Sequence, residues 1–600
     1  MNVDDNNEYF KLAYNYVLHT ACPIYLTGKA GTGKTTFLKH VKKYCTKNMI
    51  VVAPTGVAAI NAGGVTMHSF FQLPFGPYVA NAPRGFGMNE NLVDKNTLLN
   101  NLKFGNNKRT LIQELELLII DEVSMLRSDM LDAMDTILRV IRKRNKPFGG
   151  VQVLFIGDLY QLPPVVKDTE APIFNTYYKS PFFFHAKVFE QTQPVFIELK
   201  KIYRQNEQKF IDLLNNLRNN ELIHSDFELL NSRYNPNFKP TDHKYITLTS
   251  HNHKADAINK AELDKLPQKL FEYRGAIKGD FNDKQLPTEL ILKLKEGAQV
   301  MFIKNDSSGL SRYYNGKLAI VDQINQEEIT VRFPESNDCL KIEKETWENI
   351  TYRHDDESNT IDEKVLGTYT QFPLRLAWAI TIHKSQGLTF THAIIDAGSS
   401  FAPGQVYVAL SRCTSLEGIV LHSRILANAI HSDFRIYDFN AIEQPLAQLE
   451  AHLHNEKLNY ENEKIHSLFV WKQLLDKAHL LYEKTLNTKL IPEEFKAVDF
   501  CHLQIEVVKK QQEVAEKFVL ELDSLFNEMA FNQEKNKIRM RLQKAVRYFT
   551  IQVYDELIVP FETFKSQFEG VARIKKYLSL LEDTENAFWQ KAMQLQEASF

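Results

Sequence analysis

Eight residues, GKAGTGKT from Gly28 to Thr35, combine flexible glycines with two lysines and two threonines, of which Lys34 and Thr35 stand at the spacing a phosphate-holding loop requires. They lie between the apolar IYLT and the helix-forming TTFLKHVKK, so a strand leads in and a helix leads out. In that setting the amides of Gly28, Lys29, Ala30, Gly31, Thr32 and Gly33, with those of Lys34, Thr35 and Thr36 at the helix start, point at the phosphates of ATP. Lys34 reaches the β and γ oxygens and the Thr35 hydroxyl ligates Mg²⁺. Downstream, LLIIDE ends an apolar strand in two carboxylates, where open α/β sheets place ligands. Asp121 can complete the Mg²⁺ shell while Glu122 orients or deprotonates an attacking water. In GDLYQLPP, Gln161 can sense a γ-phosphate without adding charge, or simply serve as a polar turn residue. Phosphoryl transfer also needs cations facing the equatorial oxygens, often donated across an interface. Arg204 in KKIYRQ and Arg412 in VYVALSRCTS are the candidates, against the plainer reading of each as a surface ion pair.

A second group of residues suits a single nucleic-acid strand, which is held through its phosphates by hydroxyls, amides and His and through its bases by aromatic faces. In APTGVAAINAGGVTMHSFF these are Thr55, Thr66, His68 and Phe70, with core packing as the alternative for Phe70 and Phe71. In AWAITIHKSQG, Thr381, His383 and Ser385 alternate along an expected strand and so share one face. Gln386 and Gly387 then bring backbone toward the nucleotide, so that one loop touches both DNA and ATP. The basic run RVIRKRNK, Arg139 to Lys146, reads as a solvated helix end, with phosphate contact as the alternative.

The elements that must position these residues are near-continuous apolar strands alternating with helices, the signature of a buried parallel sheet. CPIYLTG, MIVVAPTG, LELLIIDE and VQVLFIGD build a first α/β lobe over residues 1–194, interrupted at about 73–108 by an aperiodic stretch rich in Gly, Asn and Pro. VFIEL, YITLTSHNH, LRLAWAITIHKSQG, HAIIDAG and GIVLHS build a second lobe over 195–440. Within it, GAQVMFIKN, LAIVDQI and EITVRF mark a small β-barrel at about 297–370. From 441 to 600 Gly and Pro become scarce and the apolar spacing turns helical, giving an all-α C-terminal domain.

The bulk numbers agree with this plan. A 600-residue chain exceeds one core, with about four domains as the prior. With 44% hydrophobic and 24% charged residues it is neither disordered nor membrane-embedded, and no apolar run approaches the ~18 residues of a bilayer span. The formal charge of −2 requires any nucleic-acid contact to be a local groove. Cys22, Cys45, Cys339, Cys413 and Cys501 are scattered as reduced thiols, and a cytoplasmic enzyme is expected.

Taken in order, GKAGTGKT, APTGVAAINAGGVTMHSFF, IIDEVSML, GDLYQLPPV, LKKIYRQ, LRLAWAITIHKSQGLT and QVYVALSRCTSLEG resemble the petite-integration-frequency (PIF) helicases, in the RecD-like group of superfamily 1. MLDAMDTILRVIRKRNKPFGGVQ resembles the helical signature that sets PIF enzymes apart from RecD relatives. The resemblance covers roughly 20–425 and implies two RecA-like lobes, ATP-driven unwinding, 5′-to-3′ movement on single-stranded DNA and action at forks. It also implies a role in DNA replication, repair or recombination, a wedge at 73–108, a barrel that covers the DNA channel, and contact of His68 with a phosphate or base. One departure is the missing glutamine before the phosphate loop, for which Asn6 or Tyr14 could substitute. Two rivals are a translocase that separates no strands and a P-loop regulatory ATPase or small-molecule kinase whose helical tail binds a protein partner.

Overall fold

The structure is a computed structural model that describes residues 7–82, 92–205, 207–240, 243–282, 286–308, 310, 312–355, 358, 360–397, 404–426, 433–488, 491–532, 535–568, 571 and 573–596. The chain separates into two compact units, Met1–Leu453 and His454–Phe600.

The first unit is organised on a six-stranded sheet in the order Val65–Thr66, Met49–Ala53, Leu117–Ile120, Gln152–Ile156, Ile24–Gly28 and Val195–Leu199. Every pair is parallel, and the four central strands are almost wholly buried, because helices cover both faces and leave no place for polar alternation. VFIEL therefore corrects the expected boundary at 194. This strand closes the first sheet, in register from Ile24 opposite Val195 to Gly28 opposite Leu199, and so satisfies the outer edge of the loop-bearing strand.

The stretch at 73–108 is less irregular than its composition suggests. It holds the helix Lys95–Asn101, capped by the Asp94 carboxylate, and the start of the helix Asn106–Glu114. Leu98, Phe104, Leu111 and Ile112 tie both to the main core. Residues 83–91 of this insert lie outside the described residues.

A second parallel sheet runs Ala379–Thr381, Ile246–Thr249, Ala393–Asp396 and Ile419–Leu421. The β insertion beside it is larger than the expected 297–370. A five-stranded antiparallel sheet joins Gln299–Phe302, Leu318–Ile324, Ile329–Arg332 and Cys339–Ile342 to Leu374–Leu376, around Val300, Phe302, Val321 and Val331. A long hairpin, Glu345–Asp355 against Thr360–Gln371, pairs with Ala276–Gly279. Its exposed-buried alternation shifts at a bulge between Asn349 and Ile350, and the Tyr352 hydroxyl accepts the Val51 N–H at 3.1 Å, joining the hairpin to the first sheet.

Residues 441–453, expected in the helical domain, stay with the first unit. Leu449 and Leu453 pack into the core around Tyr16 and Val17, and the Tyr16 hydroxyl donates to the Leu449 carbonyl at 2.7 Å. The second unit is helical, with Lys472–Leu486, Ala497–Asn532, Lys535–Gln552 and Lys575–Gln596 around Trp471, Val508, Phe549, Phe561 and Phe588. Among the described residues no helix is long and apolar enough to cross a membrane. Among the described residues none of the five cysteines forms a disulfide.

Candidate nucleotide cleft and strand-contact segments

The phosphate loop leaves Ile24–Gly28 and enters the helix Lys34–Tyr44 through Gly31 and Gly33, both left-handed at φ 85° and 91°. Several of its donors are engaged within the protein. The Lys34 ammonium donates to the Gly28 and Lys29 carbonyls at 2.5 and 3.1 Å, and the Thr32 hydroxyl donates to the Lys29 carbonyl at 2.9 Å. The Ala30 N–H donates to the Tyr407 hydroxyl at 3.2 Å. Thr35 is exposed, and Thr36 beside it in the first helical turn is half-buried. Burial lowers the pKa of both Lys29 and Lys34.

Asp121 and Glu122 follow the buried strand Leu117–Ile120. Burial, then the charge of Glu122, raises the Asp121 pKa to about 7. Burial also raises that of Glu122, opposed by Lys34 and Arg412. Glu122 itself is left-handed at φ 51°, a conformation costly for a residue with a Cβ and typical of side chains held for function.

Arg204 and Arg412 do not sit in surface ion pairs. The Arg204 guanidinium donates to the Ser411 carbonyl at 3.1 Å, while Arg412 donates to the Val408 carbonyl and the Ser411 hydroxyl, each at 3.0 Å. Burial and the like charge of Arg412 push Arg204 down to about 9, and burial lowers Arg412. Two buried guanidiniums beside each other, with no carboxylate in ion-pair contact among the described residues, make a site complementary to an anion. Two glycines permit the approach. A Cβ on Gly31 would stand 2.5 Å from the Arg204 Cβ, and one on Gly404, at the start of the helix Gln405–Leu410, 2.3 Å from the Gln161 carbonyl.

Gln161 is buried and donates to Asp158 at 3.4 Å. The sequence reading missed the cation that shares Asp158. Arg218, at the end of the helix Gln208–Arg218, contacts Asp158 at 3.3 Å and Glu198 at 3.5 Å, with its guanidinium carbon 4.2 Å from the Tyr160 ring centre. Burial opposes its charge, yet Asp158 and Glu198 hold its pKa up. Gln205 and Tyr407 were missed too. Gln205 donates to the Ser411 and Cys413 carbonyls at 3.3 and 3.1 Å, and Tyr407 is the residue that reaches Ala30. Spacing offers no signal for any of the three, because each acts through a partner far along the chain. Asn6 lies outside the described residues, and Tyr14 packs edge-on against His40. Asn7 is the polar residue tied toward the loop, donating to the Tyr203 hydroxyl at 3.3 Å, while the Tyr203 N–H donates to the Gly31 carbonyl at 2.9 Å.

The strand-contact candidates divide. Thr55 and Thr66 accept the N–H groups of Ala58 and Ser69 as helix caps. Thr66 also lines a groove with Gly56, Ser69, Asn282 and Asn349. His68 is half-buried and stacks on Phe75 at 5.9 Å. Phe70 is corrected: at 3% exposure, with the Lys108 ammonium 3.1 Å from its ring centre, it is core. The exposed ring of this segment is Phe75, at 88%, on the rigid turn PFGP.

Thr381, His383 and Ser385 do not share a face either. The strand ends at Thr381 and a 3-10 turn takes over at His383–Ser385, whose Ser385 hydroxyl donates to the Ile382 carbonyl at 2.7 Å. Thr381 and Ser385 are buried and His383 is exposed. Among the described residues the buried Gln386 side-chain nitrogen has no hydrogen-bond partner, and no atom crowds the left-handed Gly387. This turn packs on the helix that carries Tyr407, which links it physically to the phosphate loop. Arg142, in the basic run, donates to the Ile112, Gln113 and Leu115 carbonyls and is structural.

Comparison with known proteins fits this geometry. Residues 2–227 match the PIF1-like helicase family, and residues 452–600 match the family described as DNA helicase, middle domain. The ATP-dependent DNA helicase Pif1 of Psychrobacter sp. is 31% identical over 454 residues, covering 68% of this chain and 66% of that relative's length. The crystal structure of Bacteroides sp. Pif1 with ADP-AlF4 is 43% identical with a TM-score of 0.65, covering 73% of this chain and 97% of that one. Bacteroides Pif1 bound to single-stranded DNA is likewise 43% identical, with a TM-score of 0.51 and coverage of 74% and 97%. With a phosphate loop, an acidic pair and two converging arginines on two parallel α/β lobes, the chain belongs to the PIF1 family of superfamily 1 helicases.

Proposed function

We propose that this chain is an ATP-dependent DNA helicase that moves 5′-to-3′ on single-stranded DNA, opens forked duplex, and works in the cytoplasm in replication, repair or recombination. The observation that carries this reading is the convergence of Arg204 and Arg412 on the cleft that holds Lys34, Asp121 and Glu122. A cleft assembled from two lobes changes as they move, and so turns hydrolysis into stepping.

In this cleft the loop amides and Lys34 bind the phosphates, Glu122 orients and deprotonates water, and Arg204 and Arg412 stabilise charge as it moves to the leaving oxygen. The exposed Thr35 and the under-compensated Asp121 offer hard oxygen donors that fit Mg²⁺, which when bound would neutralise phosphate charge. Gln161 senses the γ-phosphate beside Asp158 and Arg218. His68, Phe75, Thr66 and His383 face the strand, and Gln386 and Gly387 relay its presence toward the cleft. The insert at 73–108 serves as the wedge. The crystallised Bacteroides Pif1 bound to single-stranded DNA supports that choice of track.

Arg412→Ala should keep single-strand binding and lose ATP turnover by ~10³-fold or more, the scale of a missing arginine finger. Arg412→Lys should restore little, because an ammonium lacks the planar fork. DNA-stimulated ATPase on saturating single strands measures both, and near-normal turnover in the alanine variant would overturn the reading. Forks with a single 5′ or 3′ tail test direction, and opening of 3′-tailed forks alone would overturn the polarity. Turnover on single strands with no fork opening would make the protein a translocase.

A further inference from the structure

The helix Lys535–Gln552 carries six Lys and Arg and no carboxylate in 18 residues, in a chain whose formal charge is −2. Its inner face, Ile538, Leu542, Ala545 and Phe549, is buried in the core of the helical unit. Its outer face is a continuous stripe of Met540, Lys544, Arg547, Tyr548 and Ile551, spaced i, i+4, i+7, i+8 and i+11. All five are exposed, with Met540 at 60%, Tyr548 at 41% and Ile551 at 45%. Among the described residues Lys544 and Arg547 have no ion-pair partner, whereas Arg541 on the flank is paired with Glu521 at 2.6 Å.

The ordinary reasons for such a stripe do not apply. Cations gather at helix C-termini to meet the macrodipole, but here the helical path continues through Val553–Ile558 to Ser566, which leaves Lys544 and Arg547 mid-helix. Solvated helix faces alternate charge signs at i,i+4 spacing, and this one has a single sign until Asp555 ends it. Nor is a solvated face expected to hold a Met, a Tyr and an Ile among its cations.

We infer that this outer stripe is a second grip for single-stranded DNA, separate from the strand-contact segments of the first unit. The two cations meet phosphates, and the Tyr548 ring with the Met540 and Ile551 side chains offers surfaces for bases. A single strand is favoured over duplex because only unstacked bases present their faces, and a duplex would leave the apolar side chains with no partner. This rests on the DNA-helicase reading above and extends it to the helical unit.

The test uses the full chain and oligothymidylates of increasing length, from one that fills only the first unit's contacts to one several times longer. Lys544→Glu with Arg547→Glu should leave the short oligomer's affinity unchanged and weaken the long one by about tenfold at low salt. It should also flatten the long oligomer's salt dependence by about 1.4 in log–log slope, two contacts at ~0.7 each. Tyr548→Ala should weaken the long oligomer about fivefold, the low end for one lost base stack. In the unsubstituted chain, a long oligomer carrying 5-iododeoxyuridine should cross-link to Tyr548.

Unchanged binding of the long oligomer, equal loss on short and long, or no cross-link at Tyr548 would each overturn the proposal. So would displacement of the long oligomer by polyglutamate more readily than by unlabelled oligothymidylate, which would make the stripe a protein-docking face. If the helicase reading alone fails, binding to the short oligomer is lost in the unsubstituted chain, so the two failures are distinguishable.

Discussion

The nucleotide cleft and the strand-contact segments were read from equally suggestive motifs, yet the structure treats them differently. In the cleft, Lys34, Asp121, Glu122, Arg204 and Arg412 are drawn together, and burial shifts the pKa of each. In the strand-contact segments Thr55 caps a helix, Ser385 closes a turn and Phe70 fills the core. The difference is one of alternative employment. A buried charge is too costly to be kept for packing, so few explanations compete with a ligand. Hydroxyls and aromatic rings have cheap structural uses everywhere, and a motif alone does not reveal which use applies.

Phe70 and Glu122 allow the sharpest tests of this contrast. Phe70→Ala should destabilise the fold by about 3–5 kcal/mol, the cost of emptying an aromatic core site, as read from a denaturant melt. A variant that melts normally but fails to bind DNA would restore Phe70 to the strand and break the contrast. Glu122→Gln keeps shape and removes the carboxylate, so ATP turnover should fall by at least ~10²-fold while nucleotide binding persists. Equal loss of binding and turnover would instead make Glu122 a structural or metal-holding group.

Phe75→Ala is the counterpart of Phe70→Ala. It should leave the melt unchanged and weaken single-strand binding about fivefold, the low end for one lost stacking surface. Unaltered binding would empty this position of a role.

Lys108 gives the smallest effect and a pH signature. Burial depresses its pKa to about 7, below the ordinary 10.5, so between those values the unfolded chain binds the extra proton. Stability should therefore rise with pH across that window, the penalty being greatest below pH 7. Lys108→Met should remove that rise, and an unchanged slope in the variant would show that the ammonium is better solvated than its place over Phe70 suggests.

Periodicity and composition were reliable where local physics is strong. Continuous apolar strands announced both parallel sheets, and glycine-rich spacing announced the phosphate loop. They were weak where a residue's fate depends on a distant neighbour. VFIEL looks the same as the first strand of a new lobe or the last of an old one, and only pairing with Ile24–Gly28 decides. The hairpin Glu345–Asp355 with Thr360–Gln371 is rich in charge on its solvent side, and its alternation is broken by a bulge, so its strand signal is diluted.

What the sequence determined by itself is the chemistry available: a phosphate loop, an acidic pair after a buried strand, two arginines in motif positions, and lobes of known order. Those features are local, set by spacing within a few residues and by the period of burial. Tertiary structure alone decided which side chains meet. It placed Arg218 on Asp158, Tyr407 on Ala30 and Gln205 on Ser411, and it hid Phe70 while exposing Phe75. Burial and pairing depend on contacts between residues up to hundreds of positions apart, and no local spacing encodes which of two similar rings faces water.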